Sequence, residues 1–294
     1  MKPWDRHLPV LAQEVVHWLA LKPGEVYVDA TLGLGGHSER LLQSKVGVGR
    51  IIGFEWDTHA AEIAAERLRP HGDRFTLVPV SYVYLVRELE KLGVRKVAGV
   101  LADFGVSSLQ LNRPERGFSF QEDAPLDMRM GADISVSAAE LVADLQEEQL
   151  ADVLYHYGEE RQARRIARRI VQRREVEPIQ TTLQLAEVVA AAVPRKYHPK
   201  KIHVATKVFQ ALRIAVNREF DNITALLRQA PEVLAARGRF CAISFHSLED
   251  RLVKQLFQQS EYTVLTRKPI RASTTELADN PRARSARLRV VEKN

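Results

Sequence analysis

Short apolar runs alternate with segments of helical periodicity over the first hundred residues. The β-rich runs lie at 26–30, 50–55, 75–80 and 97–102. Between them, apolar positions recur at helical spacing over 8–19, from Ser38 onward, over 58–68 and over 83–92. This strand–helix–strand repetition predicts a parallel sheet with helices on both faces. In such sheets, ligands bind beyond the C-terminal ends of the strands.

The pattern changes after Asp103. Residues 104–135 are rich in Pro, Gly, Asp and Ser and show no period, and residues 137–193 carry only helical signals. Strand patterns return at 238–245, 262–266 and 287–291. The sequence therefore predicts an α/β domain interrupted by a helical insertion of roughly 100 residues. The first part of the α/β domain is expected at 1–108, the helical insertion at 109–205 and the second part of the α/β domain at 206–294.

Composition limits the classes of protein that fit. The chain has 294 residues, of which 45% are hydrophobic and 27% charged, values typical of a globular domain. No apolar run reaches the roughly 18 residues of a membrane span, and the N-terminus lacks a secretory signal, so a cytoplasmic protein is expected. The single cysteine, Cys241, lies in an apolar run and is expected to be a buried packing residue. A net charge of +6 suits an anionic partner such as nucleic acid without establishing one.

A glycine-rich turn joins the first strand to the next helix in VYVDATLGLGGHSERLL, residues 26–42. A phosphate-binding loop would need a lysine at the start of the helix, and none is there. A dinucleotide-binding turn would need a third glycine where Ser38 stands. Two explanations stay open: a tight turn selected for packing alone, and a turn whose backbone comes close to a ligand.

Acidic residues end three strands of the predicted sheet, namely Asp29, Glu55 and Asp103. Asp29 would repel a pyrophosphate but can accept hydrogen bonds from an ammonium or hydroxyl group. Glu55 lies where a carboxylate takes the ribose hydroxyls of a nucleoside. Two acids around a glycine turn predict a nucleoside that carries a cation and no phosphate, such as S-adenosylmethionine. The triplet Asp103-Phe104-Gly105 also resembles the metal-binding triplet of kinases, but the other kinase motifs are missing from the sequence.

Eight stretches of the chain carry a family resemblance. They are VDATLGLGGHS (28–38), DFGVSS (103–108), ERGFSF (115–120), PLDMRM (125–130), YGEERQARRIA (157–167), FQALRIAVNRE (209–219), ISFHSLEDR (243–251) and NPRARSARLR (280–289). Together they resemble the bacterial 16S rRNA (cytosine-N4)-methyltransferases, the RsmH or MraW family.

The resemblance implies a fold, a cofactor and a substrate. The fold is a class I, Rossmann-like α/β methyltransferase fold, with a mostly parallel seven-stranded sheet and an inserted all-helical subdomain for RNA recognition. The cofactor is S-adenosyl-L-methionine (AdoMet). The methyl acceptor is N4 of a cytidine in the decoding centre of 16S rRNA, in the small ribosomal subunit. The resemblance implies neither a membrane nor a metal, and it leaves a homodimer open.

The resemblance also assigns cofactor contacts, at Gly35, Gly36, His37, Glu55, Tyr82, Asp103 and Gln110. The family usually has Asp where this chain has Glu55, and Phe where it has Tyr82. Glu55 is one methylene longer and can still reach two hydroxyls, and Tyr82 can still stack on adenine. Phe104 and Leu109 replace the more frequent Leu and Pro. These departures are expected to tune the site.

Methylation of a cytosine amine places demands on the protein. The amine is a poor nucleophile because its lone pair is delocalised into the ring. An acceptor for its hydrogens favours pyramidalisation, and by analogy with the fold Asp103 is predicted to be this catalytic group. Ser107 and Ser108 are weaker candidates for orienting the base. A stacking aromatic is expected among Phe104, Phe118 and Phe245, although each also suits the core.

The segment SFHSLEDR (244–251) is expected at the same edge of the sheet. Ser247 is predicted to be a helix N-cap, with Asp250 at the capping-box position. His246 stays open between a substrate contact and a packed loop histidine. A hydrolase triad of these residues is not favoured, because they are too close in sequence and no nucleophile elbow is present.

The segment EERQARRIARRIVQRR (159–174) combines one apolar helical face with seven arginines. A solvated surface helix is the usual explanation of a charge run, but the excess of arginine favours phosphate contact. The candidates are Arg161, Arg164, Arg165 and Arg168. Other basic residues that could extend the surface are Arg195, Lys196, Lys200, Lys201, Arg282, Arg284, Arg287 and Arg289. Arg116 and Arg129 lie in the irregular segment, which could close over the active site.

Two other functions stay open at this point. A nucleotide-dependent dehydrogenase is weakened by the missing third glycine and would bind NADH. A non-enzymatic RNA-binding module that keeps AdoMet for structure alone would bind AdoMet without transferring a methyl group.

Overall fold

The structure is a computed structural model, and it describes residues 8–294, apart from the side chain of Ser108. The chain divides into two compact units, one made of residues 1–107 and 220–294 and the other of residues 108–219. The sequence placed the return to the first unit at residue 206. The difference is one helix, because the amphipathic segment 206–217 belongs to the second unit.

A seven-stranded sheet forms the centre of the first unit, in the order β3-β2-β1-β4-β5-β7-β6. The strands are β1 (Val26–Asp29), β2 (Arg50–Phe54), β3 (Phe75–Val78), β4 (Val97–Asp103), β5 (Leu234–Ser244), β6 (Tyr262–Val264) and β7 (Arg287–Lys293). The first five strands pair in parallel, and β7 is antiparallel to both of its neighbours. The predicted fold class, a mostly parallel seven-stranded α/β sheet with a helical insertion, is confirmed.

Thirteen α-helices lie in the described part of the chain. They are α1 (Ala12–Leu19), α2 (Gly36–Leu42), α3 (Thr58–Leu68), α4 (Leu85–Lys91), α5 (Ser108–Leu111), α6 (Ala138–Asp144), α7 (Glu147–Gly158), α8 (Ala163–Arg174), α9 (Thr182–Ala192), α10 (Thr206–Asn217), α11 (Glu219–Val233), α12 (Ser247–Leu256) and α13 (Thr274–Asp279). The predicted helix 58–68 is confirmed at both ends. The first helix begins at Ala12 instead of residue 8, because Leu11 is left-handed at φ 54°. None of the helices described is long and apolar enough to cross a bilayer.

Both faces of the sheet are buried, which explains its near-continuous apolar strands. Val28, Ile52 and Phe240 face one core, whereas Tyr27 and Cys241 face the other. Cys241 is fully buried and unbonded, so its prediction as a packing residue is confirmed. Burial raises the pKa of its thiol.

In the second unit, a polar cluster lies at the end of α10. Asn217 is buried; its side-chain oxygen accepts from the Met130 amide, and its amide nitrogen donates to the Met128 carbonyl, both at 2.8 Å. Arg213 donates two hydrogen bonds to Glu219, at 2.7 and 2.9 Å. The FQALRIAVNRE stretch therefore anchors the irregular segment around residues 128–130 to α10.

Two buried tyrosines of the first unit differ in one respect. The Tyr27 hydroxyl accepts from the Lys22 amide at 2.7 Å, whereas the Tyr262 hydroxyl has no partner among the residues described. Removing an unsatisfied hydroxyl relieves a desolvation cost, so Tyr262→Phe is expected to leave the free energy of unfolding unchanged or raise it by about 1 kcal/mol. Tyr27→Phe leaves the Lys22 amide without its acceptor, so this variant is expected to lower the free energy of unfolding by about 1 kcal/mol. Urea unfolding of both variants checks this, and equal losses would contradict it.

Candidate active site

Three acid-bearing strand ends lie side by side in the first unit. Strands β2, β1 and β4 are neighbours, and their ends carry Glu55, Asp29 and Asp103. The sequence predicted that the three acids end strands on the ligand-binding side of the sheet, and the strand order adds that these strands are neighbours. The Asp103 amide donates to the Thr31 hydroxyl at 2.6 Å, which ties the end of β4 to the turn after β1.

The glycine turn has backbone geometry that other residues avoid. Gly33 and Gly35 have φ of 52° and 77°, in the left-handed region, and α2 starts at Gly36. A Cβ on Gly35 would also come within 3.1 Å of the Leu68 side chain on α3. The two glycines therefore allow the chain to turn sharply between β1 and α2.

The buried carboxylate of Asp29 stabilises the glycine turn. Its carboxylate is 1% exposed, accepts from the Ser38 hydroxyl at 2.8 Å and is 3.3 Å from the Thr31 amide. Burial raises the pKa of Asp29, and His37 and these hydrogen bonds oppose that shift. Ser38, at the position of the missing third glycine, thus joins α2 to β1.

Glu55 braces the same turn from the neighbouring strand. Its carboxylate accepts from the Gly33 amide at 2.8 Å and from the Asp57 amide at 2.9 Å. Burial raises the pKa of Glu55 to about 7, although both amides favour the ionised form. The Trp56 amide also interacts with this carboxylate. A carboxylate has about four acceptor sites, so capacity remains for a ligand hydroxyl.

His37 and Asp103 form the polar centre of the site. His37 is 7% exposed, and its Nε2 lies 3.6 Å from an Asp103 oxygen, too far for a good hydrogen bond. Neither His37 Nε2 nor the other Asp103 oxygen, Oδ1, has a hydrogen-bond partner among the residues described. Buried polar atoms are normally satisfied, so this pair is suited to a polar ligand.

Aromatic residues meet next to this centre. The half-buried Tyr82 follows β3, and its ring lies 6.4 Å from that of Phe104 in an edge-on arrangement. Phe104 is 2% exposed and belongs to the core. Of the two, Tyr82 is therefore the better placed to meet a ligand.

The loop after β5 corrects one prediction. The N-cap of α12 is His246, paired with Glu249, so the prediction of Ser247 with Asp250 is wrong by one position. His246 Nδ1 accepts from the Glu249 amide at 3.4 Å, and Nε2 lies 3.1 Å from the fully buried Glu249 carboxylate. Glu249 also accepts from the Phe245 amide at 2.8 Å. Nδ1 takes part in the cap, whereas Nε2 has no hydrogen-bond partner among the residues described, so the predicted substrate contact of His246 stays a prediction.

The remaining candidates divide between the two units. Ser107 ends the first unit half-buried, and Gln110 is buried in α5 of the second. Ser108 begins α5, and its side chain lies outside the described part of the chain. Phe118 is buried in the second unit. Arg161, Arg164, Arg165 and Arg168 are all exposed on or next to α8.

The basic C-terminal run does not form one surface. Arg282 and Arg284 are exposed. Arg289 is buried and donates to Asp250 at 2.6 and 3.0 Å, so its prediction as surface charge is wrong. Arg129 pairs with Asp127 at 2.7 Å, and Arg116 donates to the Arg129 carbonyl at 2.8 Å. Arg116 and Arg129 therefore stabilise the irregular segment through contacts within that segment.

Thr31 and Glu249 contribute to the site, although no sequence pattern singles them out. Thr31 acts on β4 from a turn 72 positions earlier in the chain, and nothing local signals that contact. Glu249 is fully buried, although its neighbours in sequence suggest a solvated first helical turn.

Comparison with known proteins identifies the family. A model of the MraW methylase family matches residues 5–294. The chain belongs to the MraW methylase family. This membership confirms the resemblance drawn from the eight stretches, and it removes the dehydrogenase alternative.

Relatives of this methylase match over nearly their full lengths. Ribosomal RNA small subunit methyltransferase H of Desulfotalea psychrophila is 52% identical over 98% of both chains. The protein of the same name from Cyanothece sp. is 48% identical, over 100% of this chain and 96% of its own. That of Geotalea uraniireducens is 46% identical over 98% of both.

Proposed function

We propose that this MraW-family methylase transfers a methyl group from AdoMet to 16S rRNA of the small ribosomal subunit, at N4 of a cytidine in the decoding centre. Family membership and the relatives' names support rRNA methylation. The observation that carries the proposal is the unsatisfied pair of His37 and Asp103 beside the glycine turn. The cytidine, its N4 atom and the decoding centre are what the family resemblance implies.

The residues of the turn fit AdoMet. Glu55 offers free lone pairs for the ribose hydroxyls, and the Tyr82 ring offers a face for adenine. Gly33 and Gly35 allow the sharp turn, and Gly35 and Gly36 remain candidate cofactor contacts by resemblance. Asp103 Oδ1 and His37 Nε2 are the buried polar atoms that a cationic, hydrogen-bonding ligand would complete. Gln110 remains a candidate contact by resemblance.

Bound AdoMet would supply an electrophilic methyl group on its sulfonium. The protein then has to position the amine and manage its protons. An Asp103 oxygen is proposed to accept a hydrogen bond from the amine, which concentrates the lone pair on nitrogen. As the methyl group would pass from sulfur, which keeps the electrons of the broken carbon–sulfur bond, to this nitrogen, the same oxygen can receive the proton that the nitrogen loses. Thr31 fixes the backbone that carries this carboxylate.

The raised pKa of Glu55 predicts a pH dependence of cofactor binding. Ribose hydroxyls donate to the ionised carboxylate, and with a pKa of about 7 the group must first lose a proton below neutrality. AdoMet affinity is therefore expected to rise by about tenfold from pH 6 to pH 8. Titration calorimetry of wild type and Glu55→Gln checks this. The ligand's own amino group titrates with both proteins, so the difference between them isolates Glu55, and parallel profiles would contradict the prediction.

The proposed function is tested with AdoMet labelled on its methyl group. Small subunits and naked rRNA from a strain that lacks the modification are offered separately, and the labelled nucleoside is identified by chromatography and mass. N4-methylated cytidine at one position is expected. AdoMet binding without label on either substrate would overturn the substrate and favour the non-enzymatic alternative.

A further inference from the structure

The exposed face of α8 is an arginine surface. Arg164, Arg165, Arg168 and Arg169 are exposed on the helix, and Arg161 is exposed immediately before it. The opposite face is buried through Ala163, Ile166, Ala167 and Ile170. We use "arginine face" for these five arginines. With a rise of about 1.5 Å per residue, the four arginines on the helix lie within roughly 8 Å along its axis.

Acidic neighbours do not neutralise this face. Arg168 pairs with Glu147 at 3.3 Å, but the other four arginines have no ion pair among the residues described. The nearest acid in sequence, Glu160, is buried and accepts from the Gln162 amide at 2.8 Å. No Asp or Glu occurs between Arg161 and Arg174. The positive charge of the face is thus left to the solvent or to a partner.

The fold alone does not account for this arrangement. Like charges three and four positions apart on the helix, such as Arg165 with Arg168 and Arg165 with Arg169, oppose helix formation. Glutamine or mixed charges would solvate the face without that repulsion. The sequence uses arginine at every basic position of the helix and never lysine. Arginine presents a planar fork of donors that matches two phosphate oxygens at once.

We propose that the arginine face of α8 binds the phosphate backbone of the rRNA substrate. This inference rests on the proposed function, because it assigns a surface to the same substrate. A membrane surface is the poorer partner, since the apolar side of α8 is already buried and has nothing to insert. Phosphate contacts carry no base specificity, so the face supplies affinity and orientation while the site at the strand ends acts on the base.

A matched pair of triple variants tests the proposal. One is Arg164→Gln/Arg165→Gln/Arg169→Gln, which keeps a good helix former at each position. The control is Arg69→Gln/Arg95→Gln/Arg228→Gln, which removes the same charge from exposed positions elsewhere. Arg69 and Arg95 precede β3 and β4, at the sheet edge opposite the strand ends that carry the candidate site. Binding to small-subunit rRNA is measured as a function of salt, together with turnover and AdoMet affinity.

The α8 variant is expected to bind rRNA at least tenfold more weakly at physiological salt. Its slope of log affinity against log salt should fall by about 2 to 3, because each lost phosphate contact contributes roughly 0.7 to 0.9. AdoMet affinity should stay at the wild-type level. The control should keep the wild-type slope. Equal behaviour of the two variants, whether both weak or both normal, would overturn the proposal.

A charge-preserving variant distinguishes the loss of phosphate contacts from a folding defect. Arg164→Lys/Arg165→Lys/Arg169→Lys keeps the point charges, so its salt slope should match wild type while its affinity falls by less than that of the glutamine variant. A lysine variant as weak and as salt-insensitive as the glutamine variant would indicate damage to the helix and overturn the proposal. If wild type methylates rRNA and the α8 variants bind normally, only this inference fails. If wild type neither binds nor methylates rRNA, the proposed function itself fails.

Discussion

Asp103→Asn is expected to slow methyl transfer by at least about 100-fold while the protein stays folded. Asparagine keeps the shape of the side chain and one acceptor oxygen, but it loses the negative charge and the ability to take a proton. It also places an amide near His37 Nε2, which lies 3.6 Å from the carboxylate. The measurement is the single-turnover rate with labelled AdoMet on small subunits, with Asp73→Asn, an exposed aspartate, as the control.

The same variant separates the two roles considered for Asp103. A lost rate with unchanged AdoMet affinity would assign the carboxylate to the target amine. Parallel losses in rate and affinity would assign it to the cofactor. A turnover close to that of wild type would remove Asp103 from the mechanism.

Arg213→Met is expected to lower the free energy of unfolding of the helical unit by about 3 kcal/mol. The substitution leaves the 6%-exposed Glu219 carboxylate without its two-pronged partner. A buried charge that loses its partner costs far more than the pair itself contributes. Chemical denaturation followed by circular dichroism measures the loss.

Arg168→Met is the matched control for that experiment. It breaks an exposed pair with Glu147 at 3.3 Å in the same unit, and such pairs contribute at most about 1 kcal/mol. If both substitutions cost the same, burial of the Arg213–Glu219 pair would not be what makes it matter.

Periodicity predicted where the strands end, and therefore that Asp29, Glu55 and Asp103 lie together. It did not predict what each carboxylate does there, because that depends on how helices pack on the sheet. Asp29 is engaged by Ser38 because the glycine turn brings the first residues of α2 back to the end of β1. That return is a property of the folded backbone and leaves no trace in the spacing of residues.

Local preference also misled at two positions. Serine is a far better N-cap than histidine, yet His246 caps α12 because Glu249 is buried beneath it. Arg289 was predicted to belong to a basic surface, although the alternation of side chains along the strand indicates that it is buried. It shares a face of β7 with Val291, and that face is covered by the core, so Arg289 requires its partner Asp250.

Cys241 gives the wild-type chain an intrinsic reporter of local opening. The thiol lies in β5 between Leu101 and Val290 and is the sole cysteine of the sequence. A thiol reagent can reach it only when the core that covers this face of the sheet opens, so the labelling rate follows the frequency of that opening. A molecule that binds only the closed protein would slow this labelling in proportion to its occupancy, and no engineered probe would be needed to observe it.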